Sequence, residues 1–172
     1  IDGKSKARLS SKIGTNSATF SPNFQCFINT YSSATVAPTY TLNQSKTGTV
    51  VKTIVSNEVV EQKLAKYDVA PKEFFELTTE KGHKLNAWMI KPKDFDATKK
   101  YPVFMYQYSG PGSQEVANKW NSTNDYWFMM LAQQRYIVAC VDGRGTGFKG
   151  AAFKKCTQKE LGKYEVEDQI DA

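Results

Sequence analysis

A tyrosine at the end of an apolar run is the side chain in this sequence best placed to do chemistry. The run YPVFMYQY predicts a strand that is buried on both faces and ends at Tyr108, and the turn sequence SGPG at 109–112 then leads the backbone away. In open α/β sheets, ligands meet the carboxyl ends of the parallel strands. A tyrosine hydroxyl placed there could stabilise an oxyanion, but packing at the rim of the sheet explains the same pattern. The residues alone therefore leave both interpretations open.

A second candidate is the glycine-rich segment GTGFKG at residues 145–150, which follows a predicted strand. It matches the G-x-G-x-x-G pattern of dinucleotide-binding loops. Such a site also requires an acidic residue at the tip of the next strand, about 20 residues further on. Glu165 and Glu167 lie at that distance, but in KYEVEDQIDA, whose spacing is helical. We therefore interpret the glycines as the backbone freedom that a sharp loop needs, and we predict no nucleotide or other cofactor.

The remaining ionisable residues do not assemble a complete active site. His83 is the only histidine and falls in the predicted turn EKGHKL, without a second histidine for a metal or a nucleophile to activate. No Gly-x-Ser-x-Gly elbow occurs in the sequence. We predict that the chain alone is inactive as a hydrolase and binds no metal. Two acidic groups are interpreted as surface charge: Asp94 with Asp96, and Glu165 with Glu167 and Asp168.

Residues 68–172 predict the beginning of an α/β domain that would position Tyr108. KEFFELTTEKGHKLNAWMIKP predicts a β-hairpin, and YIVACVDG predicts a second buried strand after YPVFMYQYS. Between those two strands, DYWFMMLAQQR predicts a helix capped by Thr123 or Asn124. Strand, helix and strand at this spacing predict a right-handed crossover in a parallel sheet. Two further helices are expected, at 149–159 and from near Tyr164.

Residues 1–67 are predicted to be rich in β-strands. Alternating runs at 17–21 and 25–31, followed by PTYTLNQ and TVVKTIV, predict four short strands joined by tight turns. Four such strands resemble one blade of a β-propeller. A lone sheet of this size would be marginally stable, so we expect it to belong to a larger array of blades. Asn57 is expected to cap a helix, NEVVEQKLAKY, that leads out of this segment.

Composition and charge exclude several classes of protein. Apolar residues make up 40% and aromatic residues 13% of the chain, which suits a folded core. The formal net charge of +6 comes from dispersed lysines rather than clustered arginines, which disfavours a nucleic-acid-binding patch. No uncharged apolar run reaches the roughly 18 residues of a membrane span. Three cysteines, odd in number and without metal-ligand spacing, imply neither a disulfide framework nor a metal site.

Three blocks, in this order, resemble the prolyl oligopeptidase clan of serine peptidases: YPVFMYQYSGPGSQEV, YIVACVDGRGTGFKG and LGKYEVEDQIDA. The resemblance is to the dipeptidyl peptidase IV subfamily in its bacterial, lysine-rich form. It extends upstream, where ATFSPNFQCFINTYSS is similar to the final propeller blade and KLNAWMIKPKDFDATKKYP to the entry into the hydrolase domain. We therefore expect an internal fragment of a longer protein, with the final blade in 1–67 and the first part of an α/β-hydrolase domain in 68–172.

The resemblance implies an enzyme that releases X-Pro or X-Ala dipeptides from peptide amino termini. It maps the family's oxyanion-stabilising tyrosine onto Tyr108. It also implies that the glycine-rich loop is structural, and we expect Arg144 to brace that loop. The family's nucleophilic serine, its aspartate and histidine, and the paired glutamates that hold the substrate's amino terminus lie outside this chain. A homodimer in the bacterial periplasm or cell envelope is implied as well.

Two alternatives remain open at the level of sequence. An endo-acting prolyl oligopeptidase or an acylaminoacyl peptidase of the same clan would share these blocks. A non-catalytic basic module that binds acidic partners would account for the lysine content without any catalysis.

Overall fold

The chain folds into two compact units that both contain sheets and helices. The computed structural model describes residues 4, 6–67, 69–121 and 123–172. One unit comprises Ile1–Tyr67 with Asn118–Asn121, and the other comprises Asp68–Ala117 with Ser122–Ala172. The α/β content predicted from the sequence is confirmed. In the part of the chain that is described, no helix has both the length and the apolar character needed to cross a membrane.

The first unit is built on four strands that pair in sequence order as an antiparallel sheet. Short turns join the strands, and antiparallel pairing is the arrangement that such turns allow. The elements are β1 (Thr15–Phe20), β2 (Cys26–Ser32), β3 (Thr39–Gln44), β4 (Val50–Val55) and the helix α1 (Glu58–Leu64). Phe27 and Tyr31 on β2 are buried, and the Tyr31 hydroxyl donates to the Ile13 carbonyl oxygen at 3.0 Å. The four predicted strands are confirmed.

Asn57 precedes α1 but does not cap it, contrary to the prediction. Its backbone is left-handed (φ 56°), and its side-chain amide donates to the Pro38 carbonyl oxygen at 2.5 Å. An N-cap residue typically has an extended backbone, so the left-handed backbone of Asn57 does not suit the role, and no side-chain bond to the first turn of the helix forms. The helix is also shorter than the predicted 57–67 segment. No residue of α1 is buried, so packing contributes little to extend it.

The second unit combines another four-stranded sheet with the helices that follow it in the chain. Its elements are β5 (Glu73–Thr78), β6 (Lys84–Ile90), β7 (Val103–Tyr106), α2 (Thr123–Gln133), β8 (Ile137–Asp142), α3 (Ala151–Lys155) and α4 (Lys163–Asp171). The strand order is β5-β6-β8-β7. β5 and β6 form the predicted hairpin, and β7 and β8 pair in parallel, with α2 between them in the chain. The predicted strand–helix–strand unit is thus confirmed.

The parallel sheet predicted for residues 68–172 is only partly confirmed. β8 pairs with β6 antiparallel in the second sheet. Among the described strands, only β7 and β8 run parallel. The short turn between β5 and β6 forces antiparallel pairing, whereas a connection that holds a helix can return a strand in parallel. The second sheet is therefore mixed.

The core of the second unit lies between its sheet and α2. Trp88, Phe128 and Val138 are buried there, and the rings of Trp88 and Phe128 lie 5.5 Å apart. Lys72, just before β5, pairs with Asp125 on α2 at 2.5 Å, and both side chains are almost fully buried. The Lys72 ammonium also lies 4.5 Å from the centre of the Trp88 ring. These contacts tie the helix to the sheet.

β7 lies at the edge of the described sheet, and the prediction that it is buried on both faces is wrong because one of its faces is exposed. Phe104 and Tyr106 approach Phe128 of α2, at ring distances of 6.5 and 5.0 Å. Val103 and Met105 point to the opposite face and are 60% and 40% exposed. An apolar run shows that both faces of a strand could be buried, but neighbours outside the run decide whether they are. The central strand β8 is largely buried, as predicted.

Two short helices follow β8. The first, α3, covers 151–155 rather than the predicted 149–159, since the chain turns after Cys156 and Lys159 adopts a left-handed backbone (φ 67°). The second, α4, begins at Lys163, where it was expected. The Glu165 carboxylate accepts the Gly162 N–H at 3.0 Å and so closes its first turn.

Candidate functional site

Tyr108 lies on a loop beyond the sheet and not at the end of a strand as predicted. β7 ends at Tyr106, which is paired with Cys140 of β8, and Tyr108 is the second residue of the segment 107–117, here called the tyrosine loop. The Tyr108 side chain is 67% exposed. Within the described residues, its hydroxyl has no hydrogen-bond partner. Among the described residues, therefore, nothing covers the phenol, and a ligand could reach it.

The tyrosine loop turns back sharply just after Tyr108. Gly110 (φ 105°) and Gly112 (φ 88°) both adopt the left-handed conformation that glycine tolerates. The backbone N–H and the hydroxyl of Ser113 both donate to the Gly110 carbonyl oxygen, at 3.2 and 2.8 Å. Because Ser113 is buried, this turn is held from inside the protein.

The returning half of the tyrosine loop is held by Asp142, the last residue of β8. One oxygen of the Asp142 carboxylate accepts the N–H of Glu115 at 3.0 Å, and the other accepts the N–H of Val116 at 2.9 Å. Asp142 is only 4% exposed. The indole N–H of Trp88 donates to the Glu115 carbonyl oxygen at 3.2 Å. Glu115 is thus bound through both of its backbone groups.

The glycine loop, residues 143–150, packs next to the tyrosine loop. The buried Thr146 hydroxyl donates to the Gly143 carbonyl oxygen at 2.9 Å, and the Gly147 N–H donates to the Ser113 carbonyl oxygen at 3.1 Å. A Cβ atom added at Gly145 would lie 2.7 Å from the Thr157 side chain. These glycines therefore allow close packing inside the protein, which supports the interpretation of the motif as structural.

Arg144 braces the glycine loop, as expected. Its Nε and Nη2 atoms lie 2.9 and 2.7 Å from Oδ1 of Asp168 on α4, and its backbone N–H donates to Oδ2 at 2.6 Å. Nη2 also pairs with Glu167 at 2.6 Å. The hydrogen bond to Asp168 raises the pKa of Arg144 above its usual value. The guanidinium lies 4.7 Å from the ring of Tyr164, so it is held on two sides.

Two acidic residues interpreted as surface charge are buried instead. Asp168 is 0% exposed and Glu165 is 8% exposed. They lie three positions apart in α4 and so share one face of the helix. Their place on the face of a predicted helix suggested solvent exposure, but the internal guanidinium partner makes burial of Asp168 possible. Glu167 is more accessible, and hydrogen bonds from Lys81 and then Arg144 lower its pKa to about 2.

The other ionisable candidates remain dispersed. No three His, Cys, Asp or Glu side chains come together to hold a metal within the described residues. His83 follows the β5–β6 turn, where its backbone N–H donates to the Thr79 hydroxyl at 3.0 Å. Asp94 is exposed, as predicted, and pairs with Arg135 at 2.7 Å. The three cysteines are free, and burial raises the pKa of the Cys140 thiol.

A separate cleft of about 400 Å³ lies between the segment after β6 and the end of α2. It contains no residue of the tyrosine loop, and its lining includes Lys91, Arg135 and Asp94. Lys91 pairs with Glu73 at 2.7 Å, and Arg135 pairs with Asp94 at 2.7 Å. These two cations therefore already lie beside carboxylates.

Sequence reasoning missed the two buried aspartates that support the loops. Asp142 ends the apolar run YIVACVD, and an acid at the end of a buried strand is a signal that it serves neighbouring backbone groups. Asp168 could have been suspected from its helical spacing with Glu165. Neither signal identifies the partner, since the bonds join residues 26 and 24 positions apart.

Comparison with known proteins places this chain among peptidases. The sequence model of the Prolyl oligopeptidase family matches residues 120–172. A protein named "Probable dipeptidyl peptidase 4" from Emericella nidulans is 36% identical over 159 residues, which are 91% of this chain and 20% of the relative. Dipeptidyl peptidase 4 from Trichophyton rubrum is 39% identical over 123 residues, which are 71% of this chain and 16% of the relative.

A solved structure is similar over nearly the whole chain. The crystal structure of Porphyromonas gingivalis dipeptidyl peptidase 4 superposes with a TM-score of 0.92 and 44% sequence identity. The match covers 96% of this chain and 23% of that one. The chain therefore spans about a fifth of the length of the proteins it matches.

Proposed function

The chain belongs to the prolyl oligopeptidase family, as a member of the dipeptidyl peptidase IV type, and we propose that the complete protein is a serine exopeptidase that releases X-Pro or X-Ala dipeptides from peptide amino termini. Similar proteins carrying the name dipeptidyl peptidase 4 support this activity. The chain covers only about a fifth of them, so it holds part of the catalytic machinery in this proposal. By itself it has no nucleophile elbow and is expected to be inactive.

The part that it contributes is an oxyanion donor, Tyr108. When a serine attacks the scissile carbonyl, negative charge develops on the carbonyl oxygen, and a hydrogen-bond donor fixed beside that oxygen stabilises the transition state. The observation that carries this proposal is an exposed hydroxyl on a loop whose backbone is bound to buried groups. An exposed phenol can reach a substrate, and a fixed loop avoids reorganisation when the charge appears.

The two units take the roles that the resemblance implies. Residues 1–67 would form the final blade of a β-propeller, and 68–172 the first part of an α/β-hydrolase domain. The nucleophilic serine, the aspartate and the histidine would then come from parts of the protein outside this chain. A homodimer in the periplasm or cell envelope of a bacterium is part of the same proposal. Fractionation of the cells and the mass of the purified enzyme in solution would test these two points.

Tyr108→Phe in the complete protein tests the assigned role. The change removes one hydroxyl and keeps the ring, so we expect kcat on an X-Pro 4-nitroanilide to fall roughly 10²–10³-fold. KM should stay within about twofold, because the lost contact forms only in the transition state. Tyr67→Phe is the matched control, since Tyr67 is 65% exposed and belongs to the other unit. Activity of Tyr108→Phe close to that of the control would remove Tyr108 from the mechanism.

A pair of substrates tests the exopeptidase assignment itself. Free-amine X-Pro 4-nitroanilide should be cleaved, and the same compound with an acylated amino terminus should be resistant, because an exopeptidase of this type must bind the free amine. Comparable kcat/KM for the two compounds would instead indicate the endo-acting or acylaminoacyl alternative. A non-catalytic basic module would cleave neither compound and would not react with a serine-directed reagent.

A further inference from the structure

We propose that Asp142 is a positioning residue for the oxyanion donor: its carboxylate clamps the returning half of the tyrosine loop and so keeps the Tyr108 hydroxyl in place. The inference rests on the proposed function of Tyr108. It goes beyond that function because Asp142 has no part in the chemistry and would act only through the position of another side chain.

The register of the two parallel strands places Asp142 level with Tyr108. Tyr106 pairs with Cys140 as the last pair of β7 and β8. Tyr108 and Asp142 each lie two positions beyond that pair, so the loop and the carboxylate leave the sheet at the same edge. Six residues, 109–114, separate Tyr108 from the clamped Glu115, and they include the turn closed by Ser113. A shift of the clamped segment would therefore be transmitted over a short and constrained path.

The two hydrogen bonds of the clamp require two acceptor oxygens, which a carboxylate has and the corresponding amide lacks. Both oxygens of Asp142 are acceptors, and they receive two consecutive backbone N–H groups, those of Glu115 and Val116. An asparagine would offer one acceptor and turn an N–H₂ donor towards the other N–H group, so one of the two bonds would be lost. Because Asp142 is 4% exposed, water cannot easily replace that bond.

The clamp has a second support from a different strand. The Trp88 indole N–H donates to the carbonyl oxygen of Glu115, the same residue whose N–H is bound by Asp142. Trp88→Phe would remove this bond and keep most of the ring packing against Phe128. It therefore perturbs the same loop segment without touching the carboxylate.

The test is a double-mutant cycle in the complete protein, with Asp142→Asn, Tyr108→Phe and the combination. A displacement of about 1 Å in a catalytic group can cost about 100-fold in rate, so we expect Asp142→Asn to lower kcat by roughly 10- to 100-fold. KM should change by less than about twofold. In the Tyr108→Phe background, the same change should lower kcat by less than about twofold, because there is no hydroxyl left to misplace.

Asp96→Asn is the matched control for the charge change. The Asp96 carboxylate also accepts a backbone N–H, from Thr98 at 3.0 Å, but it lies in the loop before β7, at the far end of that strand. This variant should keep wild-type kcat. Thermal unfolding of each variant shows whether the fold survives. If Asp142→Asn fails to fold, Trp88→Phe takes its place in the cycle and should show a smaller loss of kcat that also disappears with Tyr108→Phe.

The outcomes separate this inference from the function on which it rests. A large loss of kcat in the wild-type background that is absent with Tyr108→Phe supports the positioning role. An equal loss in both backgrounds, or wild-type kcat for Asp142→Asn while Tyr108→Phe is slow, overturns it and leaves the proposed function standing. Wild-type kcat for Tyr108→Phe overturns the role of Tyr108 and the positioning role together.

Discussion

Aspartate side chains take different roles in this chain because their surroundings differ. Asp96 accepts hydrogen bonds from Thr98 in a surface loop, which lowers its pKa. Asp142 and Asp168 are buried; Asp142 accepts two backbone N–H groups of the tyrosine loop, and Asp168 accepts one from the glycine loop together with the Arg144 guanidinium. Burial of a charged group is costly unless partners replace its water, so each buried carboxylate here is matched by donors. At this scale, burial and the element that supplies the donors decide the role of each carboxylate.

Glu167 offers a direct test of this view through pH. Its pKa falls from 4.5 to about 2 because Lys81 and Arg144 donate hydrogen bonds to its carboxylate. A carboxylate whose pKa is lower in the folded state stabilises the fold above about pH 4.5 and loses that contribution as the pH falls through about 2. We expect Glu167→Gln to lower Tm at neutral pH and to flatten the dependence of Tm on pH between these values.

Thermal unfolding of the complete protein over a pH series measures this effect. Glu61→Gln on the helix α1 is the control, because Glu61 has no ion pair among the described residues. The control should follow the wild-type curve throughout. Parallel Tm curves for Glu167→Gln and wild type would show that the pair with Lys81 and Arg144 does not stabilise the fold.

At the scale of elements, the two loops that leave β7 and β8 form one packed layer. The Gly147 N–H donates to the Ser113 carbonyl oxygen, and Asp142 binds the tyrosine loop from the end of β8. Arg144 then ties the glycine loop to α4 through Asp168. The helix, the glycine loop and the tyrosine loop are thereby connected by hydrogen bonds, so the position of Tyr108 depends on elements that never touch it.

Gly145→Ala tests the close packing of the glycine loop. The added methyl group would lie 2.7 Å from Thr157 Cγ2, and the residue would keep a left-handed backbone (φ 98°). We expect a loss of about 1–2 kcal/mol from the backbone and about 1–3 kcal/mol more from the contact. Gly82→Ala in the β5–β6 turn is the matched control, because its φ is 82° and nothing lies within 4 Å of an added Cβ.

Urea-induced unfolding of the two variants in the complete protein isolates the packing contribution. Gly82→Ala should lose only the backbone part, so the difference between the variants reports the contact with Thr157. Equal midpoints for the two variants would mean that the glycine loop relaxes freely around the methyl group.

At the scale of the whole molecule, several surface lysines of this basic chain lie beside a carboxylate. The surface lysines Lys84, Lys91, Lys99 and Lys163 each pair with an acidic side chain. Such pairs add little stability, but each places a carboxylate beside one of these four ammonium groups. This distribution favours the peptidase assignment over a module that binds acidic partners. The apolar surface is less evenly covered, since Val103 and Met105 on the edge strand β7 are exposed.

We expect the 172-residue chain in isolation to self-associate through the edge of β7. An uncovered strand edge with apolar side chains is a template for pairing with another chain. Light scattering after size exclusion should give a mass above the 19.3 kDa of one chain. Val103→Lys should shift the population towards the mass of a single chain. Val59→Lys on α1, with similar exposure (61% against 60% for Val103) but no strand edge, should not.

Much of the local structure could be predicted because its causes act over a few residues. The hairpin of β5 and β6, the strands of the first unit and the β7–α2–β8 unit all follow from alternation, turn residues and helical spacing. The same kind of pattern failed where distant neighbours decide the outcome. The run around Met105 looked like a fully buried strand, yet Met105 and Val103 are exposed on one face of it. Asn57 looked like a helix cap, yet its amide binds Pro38.

By itself, the sequence determined the family, the order of most elements and Tyr108 as the residue to examine, because each of these depends on residues that are close together in the chain. Only the tertiary structure decided how Tyr108 is held: on a loop past the strand, with Asp142 bound to the returning half and Arg144 bracing the loop beside it. The bonds responsible join residues 24 to 27 positions apart, and hydrogen bonds at such separations leave no mark on local periodicity.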